Sequence, residues 1–448
     1  MAIPKDDRRT DLVEVARGAM KTALAKGAQE AAAYAYRVRE VSVEWRDGKV
    51  DKINESTTRG VAAYLYVDGR YAVVSSSDLR PEALAAFLSD SVAMTRTLTK
   101  DPHRRLPDPA LYAGQAQLDL QLEDAQYATV TPERRRAVAR EIEEGARAVK
   151  GADAILSVTT EFADTRTESA RVHSNGFEGA RSETSFGIGA QVSVKDADGR
   201  RPEDYSYARV RFVGEAPMAA GEGRKAAERA LGRIGAKKGD SAVLTMLIDP
   251  RAAGKIVTAL VAPLSGQALQ QKRSFLEGKV GTAIGSAKLT LVDDPHVPKG
   301  LGSRLYDGEG LAARKLPIFE AGVLKNYYID TSYGRKLDLP PTTSAASNLT
   351  FALGDKPLSE LLSELKDGIL VTSFLGGNSN STTGDFSFGV SGFRVRGGQV
   401  AEPVSEMNVA GNLADLLNRL VAVGNDPYPY SNLRTPTLVF EGVQFAGN

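Results

Sequence analysis

Gly-Gly-Asn-Ser-Asn-Ser-Thr-Thr-Gly-Asp-Phe-Ser-Phe-Gly-Val-Ser-Gly-Phe, the stretch Gly376–Phe393, is dense in small and polar residues. It lies between two runs with strand character, the apolar Gly368–Phe374 and the alternating Phe393–Val400. We therefore predict a long polar loop that joins two strands. Such loops are usually functional or disordered, and composition alone does not choose between a binding loop and a flexible hairpin connection. Its glycines would let backbone amides approach a ligand or partner chain; they include Gly384, Gly389 and Gly392.

Length and composition describe an ordinary soluble protein. The 448 residues are too many for one core and predict two or three domains. The hydrophobic fraction is 42% and the net charge is +1, so no general footprint for nucleic acid or a membrane surface is expected. There is no cysteine, hence no disulfide or thiolate metal site. The charged start and the absence of a long apolar run predict a cytoplasmic protein.

The first half of the chain contains two similar units, each a helix, several strands and a second helix. Asn54-Glu-Ser-Thr-Thr-Arg-Gly60-Val61 is echoed by Arg181-Ser-Glu-Thr-Ser-Phe-Gly187-Ile188. The pattern predicts an internal duplication, although two unrelated hairpins with common turn chemistry would look alike. The predicted features are helices Thr10–Lys26, Arg80–Thr97, Thr131–Val149 and Gly221–Lys237, with hairpin turns at Asp47-Gly48 and Asn175-Gly176.

The character of the sequence changes near Gly239. We predict an α+β fold, with a duplicated helix/antiparallel-strand N-terminal region followed by a β-rich C-terminal domain with few helices. The expected domains are 1–239, with repeats at about 1–100 and 130–239, and 240–448. Asp249-Pro250 is typical of a helix start, and Leu413–Val423 is predicted to be a helix.

A series of short motifs runs through the C-terminal half. They are Asp249-Pro250, Arg273-Ser274-Phe275, Gly278-Lys-Val-Gly281, Val292-Asp293-Asp294, Asp307-Gly308-Glu309-Gly310, Gly322-Val-Leu-Lys-Asn326, Thr383-Gly-Asp-Phe-Ser-Phe-Gly389, Pro403-Val-Ser-Glu-Met-Asn-Val-Ala-Gly-Asn412 and Val423-Gly-Asn-Asp426. In this order they resemble the C-terminal signature of the TldD/PmbA family. No single motif is specific, and the order of the set carries the resemblance.

That family has two branches, which differ in a zinc site. The TldD-type branch carries a His-Glu-x-x-x-His helix, and a cysteine near the C-terminus adds a further ligand. Counted back from Gly278-Lys-Val-Gly281, the corresponding positions here are Val257, Thr258 and Ala262, none of which offers a metal ligand. The chain thus resembles the PmbA (TldE)-type branch, which implies no metal site, no cofactor and no catalytic residues of its own.

Several other residues could bind a metal or take part in catalysis, but each also has an ordinary structural explanation. Asp293-Asp294-Pro-His296 is the densest ligand-like cluster, but adjacent strand residues point to opposite faces, which favours a polar strand exit. Ser387 and Thr383 lie near Asp385, but no nearby base makes either a nucleophile. We expect His173, before a hairpin turn, and His103, in a basic segment, to be exposed. Tyr328, Tyr333, Tyr428 and Tyr430 would suit an interface or ordinary packing equally well.

The resemblance implies a non-catalytic partner of a TldD-type zinc peptidase, in a heterodimer that acts on extended, unfolded peptides. The alternatives are a homodimeric peptide-binding or scaffold protein and a hydrolase with an unrecognised site. No nucleic acid or membrane partner is expected, although the family has been described as a modulator of DNA gyrase. The predicted peptide or partner loop comprises Thr383, Gly384, Asp385, Phe386, Ser387 and Gly389.

Overall fold

The N-terminal region forms one six-stranded antiparallel sheet with strand order β3-β2-β1-β4-β5-β6. The structure, a computed structural model, describes residues 9–197 and 199–448. The first unit comprises α1 (Arg9–Ala25), β1 (Glu30–Arg46), β2 (Lys49–Val67), β3 (Arg70–Ser76) and α2 (Pro81–Thr95). The second comprises α3 (Pro132–Arg147), β4 (Ile155–His173), β5 (Glu178–Val194), β6 (Glu203–Val210) and α4 (Ala219–Leu231). The two units join where β1 pairs with β4.

This arrangement confirms the predicted duplication. Asp47 and Gly48 both have positive φ, as a two-residue hairpin turn requires, and Gly176 turns the equivalent corner of the second unit. The two echoed segments lie in β2 and β5, the second strand of each unit. Thr131 caps α3 by accepting a hydrogen bond from the backbone of Arg134 at 3.2 Å. Thr10, the predicted cap of α1, lies within the helix, and its side chain is outside the part that the structure describes.

All four of these helices cover one face of the sheet. In β4 the even-numbered residues Val158 and Phe162 pack against α3 and α4, while Ala170 and Val172 pack against α1 and α2. Side chains two residues apart share a face of a strand, so both helix pairs lie on the same side. The backbones of α3 and α4 approach so closely that a Cβ at Gly223 would overlap the carbonyl oxygen of Ile142.

The opposite face of the sheet is polar and aromatic, and part of it packs against the C-terminal half. Arg211, a buried residue just beyond β6, donates to the carbonyl of Leu301 at 2.7 Å. Arg335 donates to the carbonyls of His103 and Leu106, at 3.0 and 2.8 Å, and so fixes the segment between the two N-terminal units. His173 is 3% exposed, so the prediction of a surface histidine is wrong. Tyr112 and Phe177 cover its ring.

The C-terminal half contains two sheets. The elements, in chain order, are β7 (Ala242–Ile248), α5 (Pro250–Val261), α6 (Gly266–Gln270), β8 (Leu291–Asp293), β9 (Leu316–Glu320), β10 (Val323–Leu324), α7 (Thr331–Leu337), β11 (Leu349–Phe351), α8 (Leu358–Glu364), β12 (Asp367–Ser379), β13 (Asp385–Arg396), β14 (Gln399–Asn412), α9 (Leu413–Asn418), β15 (Leu420–Val423), β16 (Leu433–Arg434) and β17 (Leu438–Ala446). The α+β class with a β-rich C-terminal region is confirmed.

The larger of these sheets closes into a ring. Its order is β14-β13-β12-β7-β17, and a short pairing of β14 with β17 completes the circuit, with β15 outside it. The smaller sheet has the order β10-β9-β8-β11-β16, and side chains between the two sheets build the largest core of the protein. The predicted helix Leu413–Val423 is too long, because Leu420–Val423 pairs with β17 as a strand.

The helices in the described part of the chain are short. The longest, α1, has 17 residues, and no helix of residues 9–197 and 199–448 combines the length and hydropathy needed to cross a bilayer.

A matched pair of helix glycines tests the close packing of α3 against α4. We expect Gly223→Ala to lower the free energy of unfolding by about 2–3 kcal/mol, because the methyl group has no space beside Ile142. Gly18→Ala, on the exposed side of α1 with nothing within 4 Å of its Cβ, should instead be neutral or stabilise by up to about 1 kcal/mol. Urea unfolding measures both. Equal effects would contradict the packing described here.

Candidate functional site

The stretch Gly376–Phe393 is mostly sheet, so the prediction of a long polar loop is wrong. Strand β12 runs to Ser379 and β13 begins at Asp385, which leaves a five-residue turn, 380–384. Every second side chain of this stretch, Phe386, Phe388 and Val390, is buried in the core. This burial stabilises a strand although the sequence around it is polar. The backbone of β13 pairs with β12 on one side and β14 on the other.

The glycines of this stretch serve strand packing. A Cβ at Gly389 would overlap the carbonyl oxygen of Leu375, and one at Gly392 would overlap that of Leu370. Both contacts lie where the register of β12 and β13 shifts at bulges. The sequence suggested that these two glycines give a ligand access to the backbone. In the structure they instead allow the neighbouring strand to pack closely.

The turn is held by a network of polar side chains. Asn412 donates to the carbonyl of Thr383 at 2.9 Å and to Asp385 Oδ1 at 3.1 Å, while its own Oδ1 caps α9. The hydroxyl of Thr383 and the amide of Asn412 lower the pKa of the Asp385 carboxyl. The exposed side chains of Asp385 and Ser387 remain available on the outer face. The contact of residues 383–389 with a peptide or a partner remains a prediction. Because the backbone of β13 is paired on both sides, such contacts would use side chains.

Helix α5 occupies the place of the zinc-binding helix in the resemblance. Val257 is 1% exposed and packs in the core, whereas Thr258 and Ala262 are exposed. Thr258 Oγ1 donates to the carbonyl of Gly254 at 2.8 Å. Zinc requires imidazole, thiolate or carboxylate ligands, so these three residues do not fit the ion that the resemblance assigns to the TldD-type branch. Elsewhere in residues 9–197 and 199–448, no three His, Cys, Asp or Glu side chains are grouped to hold a metal ion.

A cleft of about 320 Å³ lies over the exposed side of this helix. Three cations line it: Arg229, Arg251 and Lys255. Arg229 pairs with Asp204 at 3.3 Å and Asp249 at 3.5 Å, but within the described chain neither of the other two has a carboxylate partner within 4.0 Å. Lys255 Nζ lies 4.9 Å from the ring centroid of Phe388 in β13. The cleft is therefore suited to an anionic group and unsuited to a metal cation.

The cluster at Asp293 behaves as a strand exit. Asp293 is 2% exposed and accepts hydrogen bonds from the backbone N–H and the hydroxyl of Ser347. Burial raises the pKa of its carboxyl, opposed by these bonds. Asp294 instead accepts from the backbone N–H of His296 at 3.0 Å and lies 3.4 Å from Lys315. The two adjacent carboxylates thus have separate partners.

The four singled-out tyrosines are used within the chain. Tyr328 is buried in the core of the C-terminal half, and Tyr333 packs against Gly266. Tyr428 and Tyr430 contact each other edge to face, and the hydroxyl of Tyr428 donates to the carbonyl of Tyr207. For these residues ordinary packing is what the structure shows.

Sequence reasoning missed a small polar cavity between the first sheet and the C-terminal half. Arg171 and His173 reach it from β4, and Glu309 and Ser332 from the other side. The local signal in the sequence is the motif Asp307-Gly308-Glu309-Gly310, whose place in the chain supports the family resemblance but does not predict a cavity.

Comparison with known proteins agrees with this architecture. Family models match residues 31–95 (PmbA/TldA metallopeptidase domain 1), 126–234 (PmbA/TldA metallopeptidase central domain) and 241–447 (PmbA/TldA metallopeptidase C-terminal domain). The chain is 28% identical to Metalloprotease PmbA of Escherichia coli O157:H7, over 91% of this chain and 90% of the relative.

Solved structures share the whole fold. A proposed modulator of DNA gyrase from Bacteroides thetaiotaomicron is 40% identical, with a TM-score of 0.94, and the match covers 97% of this chain and 98% of that one. TldE from Thermococcus kodakarensis has a TM-score of 0.87 at 18% identity, covering 97% and 100% of the two chains, which shows the shared fold.

A duplicated six-stranded sheet followed by a β-rich region is thus the architecture that this chain shares with PmbA/TldD-type proteins. The chain belongs to the PmbA/TldD family.

The polar network at the turn can be tested with Asn412→Asp. Aspartate keeps the oxygen that caps α9 but removes both donated hydrogen bonds and adds a negative charge beside Asp385. We expect the pKa of the Asp385 carboxyl to rise in an NMR titration, and the amides of residues 380–385 to exchange faster with solvent. The control is Asn418→Asp in the same helix, whose amide bonds the carbonyls of Ile284 and Ala414. An unchanged Asp385 titration would contradict the network.

Proposed function

We propose that this chain is the non-catalytic, PmbA/TldE-type subunit of a TldD-type zinc metallopeptidase complex that acts on unfolded peptides. The partner would supply the zinc, and this chain would help to enclose the chamber and bind the peptide. The relatives' name, metalloprotease, supports the reaction class. The proposal assigns the metal to the partner because Val257, Thr258 and Ala262 offer no ligand atom where the zinc-binding branch has its motif.

The observation that carries the peptide-binding part is an unpaired strand edge. Strand β3 covers only Val61–Val67 of β2, so residues 49–60 have no neighbour on that side within the described chain. Residues 51–59 are also exposed on both faces. Such an edge presents free backbone N–H and C=O groups, to which an extended peptide can add as a further strand with little sequence preference.

The charges along this edge suit a site that binds peptides of many different sequences. Between residues 49 and 60 there are three basic and two acidic side chains, so neither sign dominates. The cation-lined cleft over α5 offers a second contact for an acidic group or the carboxyl terminus of a peptide. We propose a cytoplasmic location and no nucleic-acid partner, consistent with the net charge of +1.

A reconstitution experiment tests the proposed complex. Alone, the purified chain should hold no stoichiometric zinc and should leave an unfolded peptide uncut. Mixed with a TldD-type chain that carries His-Glu-x-x-x-His, it should form a heterodimer that cleaves the peptide and loses activity on chelation.

The outcomes separate the alternatives. Zinc-dependent cleavage by the isolated chain would overturn the proposal and support a hydrolase with its own site. A stable homodimer that ignores the TldD-type chain would instead support the homodimeric scaffold, for which the same free edge of β2 would be the contact.

Single prolines at two adjacent residues of β2 test the strand edge. The N–H groups of Glu55 and Ser56 point to opposite sides of the strand, one toward β1 and one outward. The proline that removes the bond to β1 should cost about 3 kcal/mol of stability. The other should leave stability near that of the wild type and weaken binding of a labelled unfolded peptide by the complex.

Each variant is the control for the other. Fluorescence anisotropy measures peptide binding, and thermal unfolding identifies which proline faces outward. If the stable variant binds peptide as tightly as the wild type, the edge of β2 is not the binding strand.

A further inference from the structure

A cavity of about 150 Å³ lies between the polar face of the first sheet and the C-terminal half. Its walls come from three parts of the chain that are distant in sequence: strands of the sheet, the segment that follows α2, and residues 308–344. The charged residues of its lining are Arg104, Arg105, Arg171, Glu309 and Asp330, and His173 and Ser332 also reach it. Arg104 lies 3.9 Å from Asp101, and Asp330 accepts a hydrogen bond from the backbone N–H of Tyr333 at the start of α7. None of them lies in the cleft over α5 or at the free edge of β2.

One wall holds a buried cation without a counter-charge. Arg171 is 9% exposed, and its guanidinium lies between the rings of Tyr34 and Tyr64, at 5.1 and 4.9 Å from their centroids. Its only hydrogen bond in the described chain goes to the hydroxyl of Tyr64, at 3.3 Å. No carboxylate of the described residues lies within 4.0 Å of it, so a buried positive charge is left uncompensated.

Another wall holds a carboxylate without a cation. Glu309 accepts hydrogen bonds from the backbone N–H and the hydroxyl of Thr331, at 2.8 and 2.7 Å. Burial outweighs these bonds and raises the pKa of the Glu309 carboxyl to about 7. Within the described chain Glu309 forms no ion pair. Arg171 and Glu309 therefore line the same cavity but do not form a salt bridge with each other.

Two buried polar atoms in the cavity also lack partners. His173 Nε2 and Ser332 Oγ make no hydrogen bond, and both residues are 3% exposed. The amide nitrogen of Asn175 donates to the carbonyl of Pro107, so the amide oxygen of Asn175 is free to accept from the hydroxyl of Tyr112. Because this hydroxyl donates to Asn175, its oxygen accepts from His173 Nδ1 at 3.0 Å. This network assigns the proton to Nδ1 and leaves Nε2 as a free acceptor.

We propose that the cavity binds a small free α-amino acid, with its carboxylate at Arg171 and its ammonium group at Glu309. A molecule that carries both charges a few ångströms apart would compensate both residues at once. The ammonium group can also donate to His173 Nε2, and Ser332 Oγ can bond either end of the ligand. The binding of this ligand does not depend on the peptidase complex proposed above.

The charges and the volume limit the ligand. A simple anion would pair with Arg171 but would be repelled by ionised Glu309, whereas a simple amine would be repelled by Arg171 and by the two other arginines of the lining, Arg104 and Arg105. An apolar cavity of roughly 150 Å³ holds benzene, which has as many non-hydrogen atoms as alanine. Glycine, alanine and serine therefore fit, whereas amino acids with large aromatic side chains do not.

Titration calorimetry of the full chain at pH 8, where Glu309 is largely ionised, tests the proposal. The probes are glycine and L-alanine, together with N-acetylglycine, which lacks the ammonium group, and glycinamide, which lacks the carboxylate. Glycine or alanine should bind with a single site, and each truncated probe should bind at least about tenfold more weakly. No binding of either amino acid would show that the cavity holds water only and would overturn the proposal. Equal binding of a truncated probe would also overturn it.

Two substitutions that each remove one charge locate the site. Arg171→Gln and Glu309→Gln should each weaken alanine binding at least about tenfold. Arg140→Gln and Glu144→Gln, on the exposed side of α3, make the same changes of charge away from the cavity and should leave binding unchanged. Binding that survives in a folded Glu309→Gln variant places the ligand elsewhere. If a variant does not fold, the comparison of the four probes on the wild-type chain still decides.

Discussion

The antiparallel pairing of β1 with β4 is the interaction on which the rest of the structure depends. It runs from Ala32 opposite His173 to Arg46 opposite Thr159 and turns two helix-and-strand units into one sheet. One face of this sheet is apolar and takes all four N-terminal helices. The other face carries tyrosines, Arg171 and His173, and part of it is covered by the C-terminal half. A one-residue slip of register would exchange these faces and expose the core.

Close backbone approach is the second constraint. Helices α3 and α4, and strands β12 and β13, come so near each other that glycine is the only residue that fits at several contacts. In β12 and β13 these glycines sit at bulges of a ring that must close through the short pairing of β14 with β17. The polar stretch has the composition of a binding loop, but most of it forms strands whose glycines allow the sheet to close. Its exposed side chains surround only a five-residue turn.

Helix α5 lies at the position that the resemblance gives to the zinc-binding helix of the TldD-type branch, and its exposed surface is cationic. The helix is well packed, but its outer side presents Thr258 to a cleft that is also lined by arginine and lysine. Positive charges at this position disfavour a zinc ion and favour an anion. The long unpaired edge of β2 lies in the other half of the molecule. These two features are the ones on which the proposal of a peptide-holding subunit without the metal rests.

The sequence by itself determined the family, the α+β class, the duplication and the lack of a ligand atom at Val257, Thr258 and Ala262, because these depend on local patterns, on the order of motifs and on residue identity. The domain division at residue 239 and the role of residues 383–389 remain predictions. Only the tertiary structure decided that Gly376–Phe393 is sheet, since the burial of alternate phenylalanines outweighs a composition typical of loops. It also decided that His173 is buried and that Arg171 and Glu309 share a cavity. These residues come from segments more than a hundred positions apart, and no local pattern records that two charges lie near each other without pairing.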